Sequence, residues 1–101
     1  MVKLVWTEPA LADLQALADD IALDNPEAAR RLVSRLFKHI DQLRSHPKSG
    51  SVPSELRPSK TYRQIVEPSC RVFYRVEKNT LFVVHVMRGE RMLHRQNLRR
   101  R

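Results

Sequence analysis

A second cysteine is missing, and glycine is almost absent. Cys70 stands alone, which excludes an internal disulfide and suits a reducing, cytoplasmic setting. With no His-plus-carboxylate constellation beside it in the sequence, Cys70 reads as a small packing residue rather than a nucleophile. Only Gly50 and Gly89 occur, so there is no glycine-rich loop to cradle phosphate. His39, His46, His85 and His94 lack the paired spacing of metal ligands, and the expectation is no metal and no cofactor. No apolar run approaches the ~20 residues of a membrane span, and the first residues show no signal-peptide pattern. Acid is scarce too: 11 Asp and Glu face 19 Lys and Arg, a formal net charge of +8. That imbalance favours an anionic partner, nucleic acid or an acidic polypeptide, with salt-sensitive association.

What remains is ordinary for a small globular domain, and 101 residues suffice for one core. The organising stretch is Tyr62 to Arg91. Runs rich in Val, Ile, Phe and Tyr are broken at Glu67-Pro68-Ser69 and at Lys78-Asn79, which predicts an antiparallel three-strand meander. Pairing Val76 with Leu81 across Lys78-Asn79 sorts the faces by period two. One face collects Val72, Tyr74, Val76, Leu81, Val83, His85 and Met87, with His85 as a core histidine. The other collects Arg71, Phe73, Arg75, Phe82, Val84, Val86 and Arg88. The last strand is apolar on both faces and belongs inside the sheet.

Upstream, Val2 to Trp6 alternates as a short first strand whose place in the sheet the pattern leaves open. Thr7-Glu8-Pro9 opens a helix with the apolar stripe Leu11, Leu14, Leu17, Ala18 and Ile21. Asp24-Asn25-Pro26 ends it and caps a second helix with the stripe Ala29, Leu32, Val33, Leu36, Ile40 and Leu43, Phe37 on its shoulder. So short a link makes an antiparallel helical hairpin. Residues 51–60, carrying Pro53 and Pro58, read as loop. The expected fold is α+β in the order β-α-α-β-β-β, with the helical hairpin on one face of a mostly antiparallel sheet. Residues 1–93 form the domain and 94–101 a basic tail ending in the solvated Arg99, Arg100 and Arg101. The second sheet face, apolar and fringed by Arg71, Arg75, Arg88 and Arg91, is the expected functional surface, because an apolar patch rimmed with charge marks binding.

The EPALADL opening of the first helix, the DNPEAARRL start of the second, the HPKSG exit, and CRVFYRV followed by VVHVMRGER resemble the RelE/ParE toxin superfamily of bacterial toxin–antitoxin modules. The resemblance covers residues 2 to about 93 and looks most like the ParE branch. It implies a small toxin without cofactor that inhibits DNA gyrase and is neutralised by a ParD-like antitoxin, meeting nucleic acid only through the gyrase–DNA complex. The sibling RelE branch cleaves messenger RNA on the ribosome with basic residues on the open sheet face and a C-terminal acid/base residue. Aligned through CRVFYRV, Arg71 matches the family arginine, while two family lysines become Tyr62 and Gln64. The family's later arginine falls on Gly89, one residue from Arg88, and its tyrosine falls near Arg95, beside His94. A ribonuclease reading therefore rests on Arg71, Arg88, Arg91 and His94, and the missing lysines and tyrosine favour gyrase inhibition instead. Arg88, Arg91, His94 and Arg95 are the expected target contacts. An acidic antitoxin segment is expected to fold onto Leu14, Ala18, Leu36, Phe37, Phe73 and Phe82, with Arg31, Arg35 and Arg75 at the rim.

Overall fold

The computed structural model describes residues 1–98; the tail arginines Arg99, Arg100 and Arg101 lie outside the described residues. Its elements are β1 (Lys3–Trp6), α1 (Glu8–Asp24), α2 (Pro26–Leu43), β2 (Arg63–Glu67), β3 (Cys70–Glu77) and β4 (Thr80–Arg88). Two short 3-10 turns, Ser54–Leu56 and Arg95–Leu98, complete them. The sheet order is β1-β4-β3-β2, with β1 parallel to β4 and the other pairs antiparallel. The mixed sheet, two helices and element order match the expected α+β architecture. The place of β1 is settled by long-range hydrogen bonds: Lys3 N–H donates to Asn79 O at 2.9 Å and Thr7 N–H to Val83 O at 3.1 Å.

Both helices start as their sequences dictate. The Thr7 hydroxyl accepts from Ala10 N–H at 3.3 Å and donates to Val83 O at 2.9 Å, fastening the start of α1 to β4. Asn25 serves two ends at once: its N–H donates to Ile21 O, and its side chain accepts from Ala28 N–H at 3.1 Å. Pro26 follows in the first helical turn, where no amide donor is missed. In the β3–β4 hairpin Lys78 and Asn79 have φ of 48° and 63°, the left-handed pair that matches a two-residue turn to strand twist. Val76 pairs with Leu81, as the alternation predicts.

Two layers of core result. Under the helices, Leu14, Leu17, Leu32, Leu36, Ile40 and Leu43 meet Val72, Tyr74, Leu81, Val83 and Val86. The Tyr74 hydroxyl accepts from Gly50 N–H at 3.0 Å and donates to Pro47 O at 2.7 Å, so its burial leaves no polar group unsatisfied. Gly50 is required there, since a Cβ would stand 2.4 Å from that hydroxyl oxygen and 2.7 Å from Gln64 O.

The second layer corrects two expectations. The ladder slips between Phe73 and Tyr74: Phe73 pairs with His85 and Tyr74 with Val83, leaving Val84 as the extra residue of a β-bulge. Beyond the bulge the faces exchange. Val86 joins the helix-side core, while Met87 joins the opposite cluster. His85 is a buried, hydrogen-bonded core histidine as expected, its Nδ1 2.7 Å from Asp13 Oδ2 on α1, and it also stacks on Phe73 at 5.7 Å. Arg88 turns to Asp20 on α1. Nor is the second face open. Leu56, Leu93 and Leu98 are buried over Phe73 and Val84, so residues 51–60 and the start of the tail serve as a lid of core rather than as free polar segments.

Candidate functional site

At the middle of the second face, Arg71 closes a clasp between β3, the 51–60 connector and the C-terminal segment. Its Nη1 donates to Glu55 Oε1 at 3.2 Å and to Gln64 Oε1 at 3.1 Å. Its Nη2 donates to Glu55 Oε2 and to Arg91 O, both at 2.8 Å. The Glu55 carboxylate also accepts from Leu93 N–H at 3.0 Å. The guanidinium lies over Phe73 at 5.1 Å and its side chain is only 11% exposed. These hydrogen bonds, the one from Arg71 foremost, hold the Glu55 carboxyl down at about 2 against an ordinary 4.5. A bidentate Arg–carboxylate pair of this kind leaves little net charge at the one position where the alignment matched a family arginine.

The other arginines do not converge on Arg71. Arg88 pairs with Asp20 on the helix side, because the bulge reversed its direction. Arg75 pairs with Glu77 at 2.5 Å and covers the Phe82 ring at 4.3 Å, which half-buries that phenylalanine. Arg91 contributes its carbonyl to the clasp, and the residue is otherwise exposed. His94 and Arg95 are exposed on the tail, where His94 N–H donates to Asn97 Oδ1 at 2.9 Å to start the last turn. The set Arg71, Arg88, Arg91 and His94 is thus not assembled as one constellation.

Three expected docking residues are core. Leu14, Leu36 and Phe73 are 5%, 0% and 0% exposed, because each points into one of the two packed layers. An apolar groove of about 580 Å³ does open between the helices, lined by Ala18 and Ala22 of α1 and Pro26, Ala29 and Val33 of α2. Leu11, spaced seven residues before Ala18, and Phe37, four beyond Val33, continue the same helix faces and are 45% and 41% exposed. Phe37 leans on Trp6 at 5.0 Å between ring centroids. Asp19, Arg30 and Ser34 form the polar wall of this groove; Arg31 and Arg35 do not line it.

A further cleft, about 440 Å³, opens between α1 and the end of β4, lined by Asp13, Asp20, His85, Arg88, Arg91 and Asn97 among others. Within it, His85 Nδ1 and Asp13 Oδ2 are 2.7 Å apart, and the same oxygen accepts from Val86 N–H at 3.2 Å. Asp13 thereby satisfies a strand amide beyond the end of β1. Sequence reasoning missed both Glu55 and Asp13 as partners. For Glu55 one signal existed, as it is the only acid between Asp41 and Glu67 in a strongly basic stretch. Cys70 is fully buried, and that burial pushes its thiol up to about 11, consistent with packing rather than nucleophilic duty. Among the described residues, no group of three His, Cys, Asp or Glu is placed to hold a metal ion.

Residues 4–93 match the family model described as ParE toxin of type II toxin–antitoxin system, parDE. A relative named Toxin RelE2, from Caulobacter vibrioides, is 32% identical over 93 residues, spanning 91% of this chain and all of the relative. Among solved structures, a chain of the chromosomal ParDE system from P. aeruginosa superposes with a TM-score of 0.72 at 25% identity, covering 89% of this chain and 98% of that one. A chain of the toxin–antitoxin complex RelBE2 from Mycobacterium tuberculosis shares the fold at a TM-score of 0.58 and 18% identity, covering 86% and 96% of the two chains.

Proposed function

The chain belongs to the ParE toxin family of type II toxin–antitoxin systems, and from that premise we propose that it inhibits DNA gyrase and is neutralised by a ParD-like antitoxin. The observation that carries the choice of target is the state of Arg71. Cleaving a phosphodiester on positioning and charge alone needs unpaired cations aimed at the developing negative charge. Here the matching arginine is held by Glu55, Arg88 is held by Asp20, and neutral Tyr62 and Gln64 occupy the lysine positions. A gyrase inhibitor needs a stable binding surface and no such reacting set. Arg91, His94 and Arg95, exposed at the C-terminal end, are the proposed contacts to the target; Arg88 borders them through the cleft it lines.

Supercoiling assays with purified gyrase test this. The expected result is loss of supercoiling with accumulation of cleaved DNA; full gyrase activity at micromolar folded toxin overturns it. The Caulobacter relative carries a RelE name, which favours a second reading as a ribosome-dependent messenger-RNA endoribonuclease. Primer extension on translated messages separates the two, since codon-phased cuts that disappear in Arg71→Ala belong only to the ribonuclease.

For the antitoxin, the proposed seat is the α1/α2 groove. Its apolar floor suits the anchors of an amphipathic helix; its wall carries both Asp19 and Arg30, the latter paired with Glu27, so apolar anchors rather than charge support the fit. Ala18 and Phe37 remain from the docking set expected on the helices. On the sheet, Arg75 and Phe82 form a separate, half-buried fringe and are secondary contacts at most.

A further inference from the structure

Arg31, Arg35 and Lys38 follow one another along the solvent side of α2 at spacings of four and three residues, so one helix face carries all three. The helical rise spreads them over about 10 Å. With Arg30 and Ser34 they line a shallow concavity of about 490 Å³ that contains no acidic and no apolar residue. Arg30 is tied to Glu27, but among the described residues no ion pair joins Arg31, Arg35 or Lys38 to a carboxylate. Four other arginines are paired, Arg71 with Glu55, Arg75 with Glu77, Arg88 with Asp20 and Arg44 with Asp41; what sets the crest apart is that its unpaired cations lie together on one helix face. Like charges at three- and four-residue spacing weaken an isolated helix, a cost that a bound polyanion relieves.

We propose that this crest of α2 is a sequence-independent contact for the phosphate backbone of nucleic acid. An acidic peptide is the alternative polyanion, and the geometry disfavours it. A peptide held for long needs apolar anchors in desolvated pockets, and the crest offers none; such anchors have a place only in the neighbouring groove. Phosphate binding needs no anchor, because neutralised phosphates release their counterions. Of the three unpaired cations, the two arginines Arg31 and Arg35 fit planar, two-pronged contact with phosphate oxygens, and Lys38 adds a point charge. The assignment concerns free nucleic acid and stands or falls independently of gyrase as target.

Fluorescence anisotropy of the full chain with a labelled duplex of about 20 base pairs and arbitrary sequence tests it. With three phosphate contacts, the slope of log affinity on log salt should carry about −2.7 from the crest, or about a 40-fold loss between roughly 50 and 200 mM salt. The combined Arg31→Glu, Arg35→Glu, Lys38→Glu variant should bind at least tenfold more weakly at low salt and lose that part of the slope. The corresponding triple alanine variant, which keeps helix propensity high, should behave the same way to a lesser degree. A charge-matched variant, Lys48→Glu, Arg57→Glu, Lys60→Glu, should retain most of the binding. Equal loss in both charge reversals would show that net charge, not the crest, holds DNA. Unchanged affinity in the folded crest variants, or tighter binding of polyglutamate than of duplex, would likewise overturn the proposal.

Discussion

Glu55 shows how one residue in an unpatterned loop can decide what a whole face does. Its carboxylate fixes the Arg71 guanidinium by two hydrogen bonds and caps the Leu93 amide with a third. The linked prediction concerns acid. The folded carboxyl titrates at about 2, below its ordinary 4.5, so the stabilisation it supplies is complete above pH 4.5 and fades as pH falls toward 2. Because a glutamine at this position keeps part of the hydrogen bonding to Arg71 and Leu93, the difference is about 1–2 kcal/mol rather than the full value of the shift. Glu55→Gln should therefore lower urea-denaturation stability by about that amount at pH 7. Its stability should also lack the part of the acid decline that the wild type shows between 4.5 and 2. Parallel acid declines in the two proteins would mean that the clasp is not the titrating element. The caps at Thr7 and Asn25 and the turn at Lys78-Asn79 were legible because each is set by its own few residues. The Glu55–Arg71 pair joins positions 16 apart through tertiary folding, and nothing in local pattern announces such a pairing.

Among the elements, the strands were legible in extent and pairing but not in which way every side chain points. The run FVVHVM in β4 is apolar on both parities, so one extra residue leaves no mark in the pattern. Yet that bulge at Val84 inverts everything after it, sending Val86 and Arg88 to the helices and Met87 to the far side. The same inversion explains why Arg88 does not meet Arg71 on the far face; Arg75 is instead held at the other end of β3 by Glu77 and the Phe82 ring. The far face is then closed by Leu56, Leu93 and Leu98, drawn from segments that prolines and charges mark as loop and tail. Those leucines are 2%, 2% and 5% exposed, which makes the start of the tail a structural element. Truncating either C-terminal leucine to alanine should cost about 2–4 kcal/mol, through lost burial and the cavity left behind. Chemical denaturation of Leu93→Ala and Leu98→Ala checks this. Wild-type stability in both would show that the segment lies loosely on the sheet.

The molecule as a whole divides its surfaces by chemistry. Much of the acid is consumed in pairing with arginines, so the excess of +8 falls on the α2 crest, the connector and the tail, while an apolar groove lies beside that crest. The two surfaces share Arg30 and Ser34 as a common wall, so a segment seated in the groove would also approach the crest. On the proposed reading, the groove for the antitoxin shares no residue with the target contacts Arg91, His94 and Arg95. Ala22 and Val33 line the groove, and neither belongs to the buried core. Charge placed at either position, as in Ala22→Glu or Val33→Glu, puts an unpaired carboxylate against the apolar anchors of the proposed antitoxin; because Val33 also packs against the core, Ala22→Glu is the variant that spares it. Binding of the cognate antitoxin should weaken at least a hundredfold, an expectation of about 3 kcal/mol for a desolvated charge without a partner. Titration calorimetry measures that loss. Co-expression gives the cellular counterpart, because the antitoxin should no longer rescue growth although the toxin remains active. Phe37→Ala, which only removes an anchor at the groove's end, should instead speed dissociation and leave the association rate nearly unchanged. Full rescue with wild-type affinity in both charged variants would move the antitoxin off the helices and onto the sheet fringe at Arg75 and Phe82.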